Sequence, residues 1–508
     1  MATDRTLILY PASLHGGYWE TGPRVRAELV SLHSALLRGG VDVGVLDLEN
    51  SIGNPGPNDR DSFMSSVERQ LGGAPDAVAR GDRASGGPAP GAAAASWPVA
   101  EAGLIVVSCS SSLQYTATLA VADVVRRLYP EMPLAVVGFH VTARPADFTY
   151  QGAPFDWVVV GEPENTVVEL AASAAGCTRQ AAPVVVEGTA LELSAASAPD
   201  FRAYPYVKEG LTVLQTFLSR GCPFPLAACQ LRPGSPGWRA YPPEVAAGII
   251  EDLTALQPGR IEILDPSFGL DPAWRATTLQ ILERAEEIRR TVPLSIGVRP
   301  EAFTRDDVDV AYRAALELRI DVGTLSRELL QRTGAVPQPE KHVRHTLDLL
   351  EYINAKGLSG TVELVFNRPG ETRATAEETL DALEAFEQRL PNTSLRLIGT
   401  SWVYVPYAEP AAEIDAPRER YGTVILHPEW WREGISAERA AKAVIASSEL
   451  ADLEAGDESY WRPRFDAIAE KLAGKLTAEA RRGVRSHESV GSEATGVPHG
   501  FWVEPRWH

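Results

Sequence analysis

Cysteine is scarce: the 508 residues include four, Cys109, Cys177, Cys222 and Cys229. So few thiols in so long a chain exclude a disulfide-stapled fold, and a packed core has to supply the stability. Positive charge is in deficit. Lys and Arg number 48 against 67 Asp and Glu, giving a net charge of −19 and a pI near 5.0. The basic face that phosphate backbones require is absent, so nucleic acid is not an expected partner. An acidic surface of this kind favours solubility. No apolar run approaches the roughly 18 residues that cross a membrane. Residues 1–10 lack the basic stretch, apolar run and cleavage site of a secretory signal. The chain therefore reads as cytoplasmic, with no membrane partner.

What is present is ordinary for a globular protein: 44% hydrophobic and 23% charged residues. The length suggests roughly two to four domains. Residues 7–10 form a short apolar run that reads as a buried strand, and 25–38 have helical periodicity stopping at Gly39-Gly40. Further strands are expected at 41–46, 104–107, 134–137 and 157–160, with a helix at 117–128. Strands alternating with helices make residues 1–175 a doubly wound, Rossmann-like parallel α/β domain. Residues 54–98 break the pattern. They are rich in Gly, Pro, Ala and Asp, with low complexity at 86–95, and read as a flexible insertion. Ligands of doubly wound sheets sit beyond the C-terminal strand ends. The loops found there carry Ser13, His15 and Gly16, then Ser108, Ser110 and Ser111, then Gly138, His140 and Thr142, and finally Gly161 and Glu162.

After a less regular linker, 176–211, a second series begins. Strands are expected at 213–217, 261–264, 294–297, 318–322, 360–366 and 395–399. Helices at 243–256, 273–291, 306–317, 339–355 and 374–389 lie between them. This is the pattern of a partial or full TIM-like α/β barrel over 212–405, whose site would lie at the C-terminal strand ends. Residues 406–483 read as mixed and then helical around 437–480, and 484–508 as a weakly ordered tail.

The most informative segment is Ser219-Arg-Gly-Cys-Pro-Phe-Pro-Leu-Ala-Ala-Cys-Gln230, directly after the first barrel strand. Thiolates spaced C-x3-C-x2-C on such a loop hold three irons of a four-iron cluster, because iron–sulfide cages take soft anionic donors. Here Cys222 and Cys229 hold the outer positions. The middle one is Leu226, which has no donor atom.

Arg-Gly-Cys-Pro-Phe at 220–224 resembles the start of the cluster loop in cobalamin-binding radical S-adenosylmethionine enzymes. The resemblance continues through Trp238-Arg-Ala-Tyr-Pro-Pro-Glu244, Ile263-Leu-Asp-Pro-Ser-Phe268, Val298-Arg-Pro300 and Asn367-Arg-Pro-Gly-Glu-Thr372. In the first domain, Val137-Gly-Phe-His-Val-Thr142 and Gly161-Glu-Pro-Glu164 resemble cobalamin-domain signatures. The match runs over roughly residues 1–400 in the family's order.

The resemblance implies cobalamin on the ligand-side loops of the first domain and S-adenosylmethionine at the barrel mouth. It also implies a 4Fe-4S cluster at Cys222 and Cys229, which Leu226 leaves one thiolate short. It points to Arg220, Asp265, Arg299 and Glu371 as catalytic candidates lining that mouth. Other readings stand beside these. His15 and His140 are either polar contacts to the corrin or plain loop histidines, and no Asp-x-His-x-x-Gly cobalt-ligand motif occurs. Cys222 and Cys229 would also serve as small packed side chains, and Cys109 would have to reach from another domain to complete a ligand set. Thr324-Leu325 stands where related barrels carry Glu-Ser. The aromatics of 401–407 suit either a substrate pocket or a core.

Without the third thiolate, reductive cleavage of S-adenosylmethionine lacks its electron source. The resemblance then implies a cobalamin-dependent, methyltransferase-like enzyme of natural-product biosynthesis. It would act on a small molecule by polar methyl transfer, with an external reductant. The alternatives are a radical C-methyltransferase or rearrangement enzyme with an atypically ligated cluster, a cobalamin-only catalyst, and a non-catalytic cobalamin-binding protein.

Overall fold

The computed structural model describes residues 5–12, 24–52, 60–72, 98–174, 177, 179, 182–207, 212–222, 237–285, 292–406 and 411–477. The chain's first two strands, β1 (Arg5–Tyr10) and β2 (Arg24–Val25), go to different sheets. β1 joins β3 (Asp42–Asp47), β4 (Leu104–Ser108), β5 (Leu134–Val137), β6 (Trp157–Val160) and β7 (Val184–Glu187). These form a six-stranded, all-parallel sheet in the order β3-β1-β4-β5-β6-β7. Both faces of this sheet are covered, which is why its strands read as continuous apolar runs. Ile8, Val106, Ala135 and Val159 face α1 (Ala27–Arg38) and α4 (Glu164–Ser173). Leu7, Leu9, Ile105, Val107 and Val136 face α2 (Arg60–Gly72) and α3 (Tyr115–Leu128).

The second sheet takes β8 (Val213–Thr216), β11 (Arg260–Ile263), β12 (Leu294–Val298), β13 (Leu316–Gly323), β14 (Gly360–Phe366) and β15 (Leu395–Ser401). All are parallel, with β2 paired beside β8 as the edge. Between β8 and β11 the chain forms a small antiparallel pair, β9 (Ser219–Arg220) with β10 (Arg239–Ala240). Neither β2 nor β15 closes the ring among the described residues, so this is an open barrel.

Its connecting helices are α5 (Pro243–Ala255), α6 (Pro272–Arg284), α7 (Arg305–Arg313), α8 (Pro339–Lys356) and α9 (Arg373–Arg389). Leu214, Ile261, Ile296, Ile320, Val362 and Phe366 belong to the core that packs against them. The alternate residues face the other way. That inner face is polar: Glu262 takes hydrogen bonds from Arg24 at 3.3 Å and Gln215 at 3.1 Å, and Arg260 pairs with Glu317 at 2.6 Å.

Several expectations are corrected. The first helix begins at Ala27 rather than at 25, because Arg24 and Val25 are drawn into the barrel sheet. Residues 54–98, expected as a flexible insertion, contain α2, whose Phe63, Val67 and Leu71 are buried in the core. The linker supplies a sixth strand, β7. The helical stretch expected at 437–480 is instead a five-residue helix, Ala437–Ala441, and α10 (Arg462–Gly474). No described helix is long and apolar enough to cross a membrane.

Candidate functional site

The C-terminal ends of β4, β5 and β6 face the C-terminal end of β8 across an open pocket, whose empty volume counted out to solvent is about 890 Å³. The loops after β4 and β5 can meet there because Gly138 has φ +125°. A side-chain carbon on it would lie 2.4 Å from the Cys109 carbonyl oxygen. Leu29, Leu32, Val137, Phe139, Pro163, Phe217 and Pro266 give apolar walls. Ser108, Ser110, Thr142, Glu162, Glu164 and Arg220 add polar groups.

Of the loop residues expected to face a ligand, Ser108, Ser110, Gly138, Thr142, Gly161 and Glu162 line this pocket. Ser108 and Ser110 share a 3.0 Å hydrogen bond, and the Gly161 amide donates to Thr142 Oγ1 at 2.9 Å. Ser111 lies outside the lining, its carbonyl accepting from the Cys109 thiol. Ser13, His15, Gly16, Leu226 and Cys229 lie outside the described residues.

His140 is a correction. Its ring is fully buried on the far side of the loop, where Nδ1 accepts from Ser112 Oγ at 2.9 Å and Nε2 donates to Asp147 at 3.1 Å. Asp147 also accepts from Trp431 Nε1 at 2.7 Å and from Arg432. Burial keeps His140 below its ordinary pKa, so the neutral ring, protonated at Nε2, fits this network. The neighbouring Phe139 faces the pocket instead.

The expected catalytic residues do not converge. Arg220 reaches the pocket, held by Glu164 at 2.7 Å and near Glu162 at 3.6 Å. Glu164 Oε1 also accepts from Ser31 Oγ at 2.7 Å, and Arg239 pairs with Glu162 at 2.5 Å. Burial would raise the Glu164 carboxyl, but the Arg220 charge and the hydrogen bonds from Arg220 and Ser31 hold it below its usual range. Asp265 sits beneath the turn after β8, accepting from the Leu218 amide and Ser219 Oγ, each at 2.7 Å. Burial pushes its carboxyl up to about 7.

Arg299, at the end of β12, donates to Glu301 at 2.6 Å. Glu371 lies within the Pro-Gly-Glu-Thr turn, accepting from the Asn367 amide and Tyr460 hydroxyl, each at 2.8 Å. Burial pushes it up to about 7. In this turn Thr372 caps α9 with a 3.1 Å bond from the Thr375 amide. Asp265 and Glu371 thus shape turns beside the mouth rather than line the pocket.

Cys222 is buried, with Ser267 Oγ donating to its sulfur at 3.3 Å. Cys109 is fully buried in the first sheet's core. Burial pushes its thiol up to about 12, which keeps it protonated and unfit as a cluster ligand. Among the described residues no three His, Cys, Asp or Glu side chains converge on a metal position. Trp402 and Tyr404 pack in the core, Tyr404 fully buried against Trp431. Sequence reasoning overlooked Glu164 as the partner of Arg220, although it ends the Gly161-Glu-Pro-Glu164 motif.

No protein-family model and no curated protein matches the sequence. Among solved structures, the radical S-adenosylmethionine methyltransferase TsrM from Kitasatospora setae, with cobalamin and a [4Fe-4S] cluster bound, matches with a TM-score of 0.57. The identity is 17%, over 80% of this chain and 76% of that one. The same protein with tryptophan substrate and the S-adenosylmethionine analogue aza-SAM matches at 0.54 and 16%, over 80% of this chain and 74% of that one. The likeness bears out the α/β class expected from the sequence, a doubly wound sheet followed by a barrel-type one.

Proposed function

We propose that the chain is a cobalamin-dependent, methyltransferase-like enzyme. Residues 1–175 would be its cobalamin-binding domain and 212–405 its catalytic barrel. The observation that carries this reading is the pocket between the two sheets, open, walled by apolar side chains and rimmed by hydroxyls. A corrin needs such chemistry: apolar surface for the ring and hydrogen-bonding groups for its peripheral amides. Ser108, Ser110, Thr142 and Glu162 would hold those amides, and Leu29, Leu32, Phe139 and Phe217 would flank the ring.

Bound cobalamin supplies a nucleophilic metal centre for methyl chemistry. A three-thiolate iron–sulfur cluster does not fit the donors of this chain. Leu226 offers none, and Cys109 is a core thiol in the other sheet. The proposed net reaction is therefore polar: the methyl group of S-adenosylmethionine passes to a nucleophilic atom of a small-molecule substrate. S-adenosylhomocysteine and a proton are released. The chain's part is positioning and exclusion of water. Glu164 and Arg220 hold the segment carrying Cys222 against the first sheet, and Asp265 fixes the turn before it. The proposed setting is natural-product biosynthesis in the cytoplasm, with an external reductant keeping the cofactor active.

The test is metal content and product after anaerobic reconstitution with cobalamin. Retained cobalt without iron or sulfide, and S-adenosylhomocysteine without 5′-deoxyadenosine, support the proposal. Retained iron with 5′-deoxyadenosine returns the radical reading, and protein that retains no cobalt ends the cobalamin reading.

A further inference from the structure

The pocket between the two sheets is biased towards accepting hydrogen bonds. Among the described residues, three carboxylates line it, Glu28, Glu162 and Glu164, against one guanidinium, Arg220. That guanidinium is largely committed. Its Nη2 donates to Glu164 Oε1 at 2.7 Å and to Ser31 Oγ at 2.8 Å, and its Nη1 faces Glu162 at 3.6 Å. Arg239, behind the wall, turns both terminal nitrogens onto Glu162 and shares Nη1 with the Leu191 carbonyl. Thr142 gives its hydroxyl proton to the Gly138 carbonyl at 3.0 Å, and Ser108 and Ser110 bond to each other. Even with Arg239 counted, three carboxylates stand against two guanidiniums. A ligand therefore meets more acceptors than donors, and a surplus of negative charge.

The ion pair in this wall is itself incomplete. Glu164 is 2% exposed, and its Oε1 takes both Arg220 and Ser31, yet its Oε2 has no hydrogen-bond partner. Arg220 Nε is likewise buried without one. The pair thus keeps one unmet acceptor and one unmet donor, a cost that a suitable bound group relieves. A carboxamide meets both needs, with its N–H on the glutamate and its carbonyl on the guanidinium. A carboxylate meets the donor alone, and sets its charge against Glu28, Glu162 and Glu164. An ammonium meets the acceptor alone.

We propose that Glu164 and Arg220, with Glu28 and Glu162 beside them, select a corrin by its amidation: they receive a peripheral carboxamide and reject a corrin that carries a free carboxylate in its place. The discrimination is partly repulsive. The wall binds the amide with its spare acceptor and donor, and excludes the acid with its surplus charge. A corrin whose amidation is unfinished would then not occupy the site. The inference rests on the pocket being the corrin site of the proposed enzyme, and assigns what decides between corrins there.

The experiment is equilibrium dialysis of the full chain at neutral pH against cyanocobalamin and against each of its monocarboxylic acids, made by hydrolysing one peripheral propionamide. Cyanocobalamin is expected to bind. At least one acid should bind roughly tenfold or more weakly, as a like charge placed against a carboxylate wall does. The N-methylamide of that acid separates charge from shape: it is bulkier but neutral, and should bind more tightly than the acid. Glu164→Gln should narrow the ratio between cyanocobalamin and that acid, since a neutral side chain no longer repels it. Glu28→Gln, which leaves the ion pair with Arg220 intact, should narrow it by less, and carries the comparison alone if Glu164→Gln does not fold. Cyanocobalamin held by a variant shows that it has folded. Acids that all bind as tightly as cyanocobalamin overturn the inference and leave the corrin site standing, as does a ratio unchanged in every folded variant. A wild type that binds no corrin ends the cobalamin reading and the inference with it.

Discussion

His140 and Glu371 each anchor a buried hydrogen-bond network outside the pocket. Asp147, 1% exposed, gathers His140, Trp431 and Arg432 around one carboxylate. Removing it strands two buried donors, on His140 and Trp431, and frees the exposed Arg432, so Asp147→Ala should cost about 3–5 kcal/mol. Asp147→Asn, which keeps an acceptor oxygen, should cost less. Chemical denaturation of both variants measures the difference. Glu371 predicts a pH effect. Its folded-state pKa, pushed up to about 7 by burial against the hydrogen bonds of Asn367 and Tyr460, lies above the unfolded value of about 4.3. Protonation therefore favours the fold, and this contribution is lost as pH rises through about 7. Between pH 5 and 8 wild type should lose up to about 3 kcal/mol relative to Glu371→Gln. Thermal melts of both proteins across that range test the sign.

The pocket residues were legible in the sequence because strand ends are. Once β4, β5 and β6 are recognised, Ser108, Gly138 and Gly161 follow from the rule for doubly wound sheets. Which way a residue turns after the strand end is not legible: Phe139 and His140 are adjacent, and only packing against Trp431 decides that the histidine points away. Glu164 was hidden for another reason. A glutamate in the first turn of α4 looks like an ordinary partner of the helix dipole.

Among the elements, the starts of the long periodic segments were read nearly to the residue, whereas the helix expected to run to 317 stops at Arg313 because β13 begins at Leu316. β5, β6 and β14 match their expected bounds, and the barrel helices begin within one residue of expectation. Two edge strands were not legible, β2 because two residues carry no usable period and β7 because it lies mostly exposed at the sheet edge, unlike the buried β5 and β6. β2 and β7 gain their identity from the neighbours they pair with. Helix α2 was missed because its low-complexity surroundings masked the spacing of Phe63, Val67 and Leu71. β2 also brings a charge into the barrel: Arg24, 7% exposed, pairs with Glu262. Arg24→Met should destabilise the protein by about 1–3 kcal/mol, because Glu262 loses one charged donor but keeps Arg260 at 3.5 Å and Gln215 at 3.1 Å. Adding Glu262→Gln should recover much of that loss. Urea unfolding of the single and double variants provides the comparison.

Across the molecule, the expected modules do not have separate cores. One cluster runs from Ile8 and Val106 through α1 and α4 to the helices of the barrel sheet. A second joins Leu9 and Val107 to Trp430 and Trp431, from beyond the barrel. Trp461 stacks on Phe366 with ring centres 4.2 Å apart, fastening α10 to β14. Calorimetry should therefore show one cooperative transition. Trp431→Ala should lower the stability of the first sheet and the barrel together, by about 3–5 kcal/mol. Two resolved transitions, with only one of them shifted, would contradict this.

The placement of β2 has a consequence for how such a protein can change. The chain leaves the first sheet at Tyr10, lends two residues to the edge of the second, and returns at Ala27 to cover the first again. Such stitching makes the two halves a single heritable unit. A recombination that exchanged the amino-terminal half would also remove the edge strand and one of the cations beside Glu262, leaving a barrel with an open hem and an acid with one charged donor fewer. Swaps that bring a matching Arg-Val dipeptide should be tolerated, and those that do not should fail, whatever cofactor the incoming half prefers.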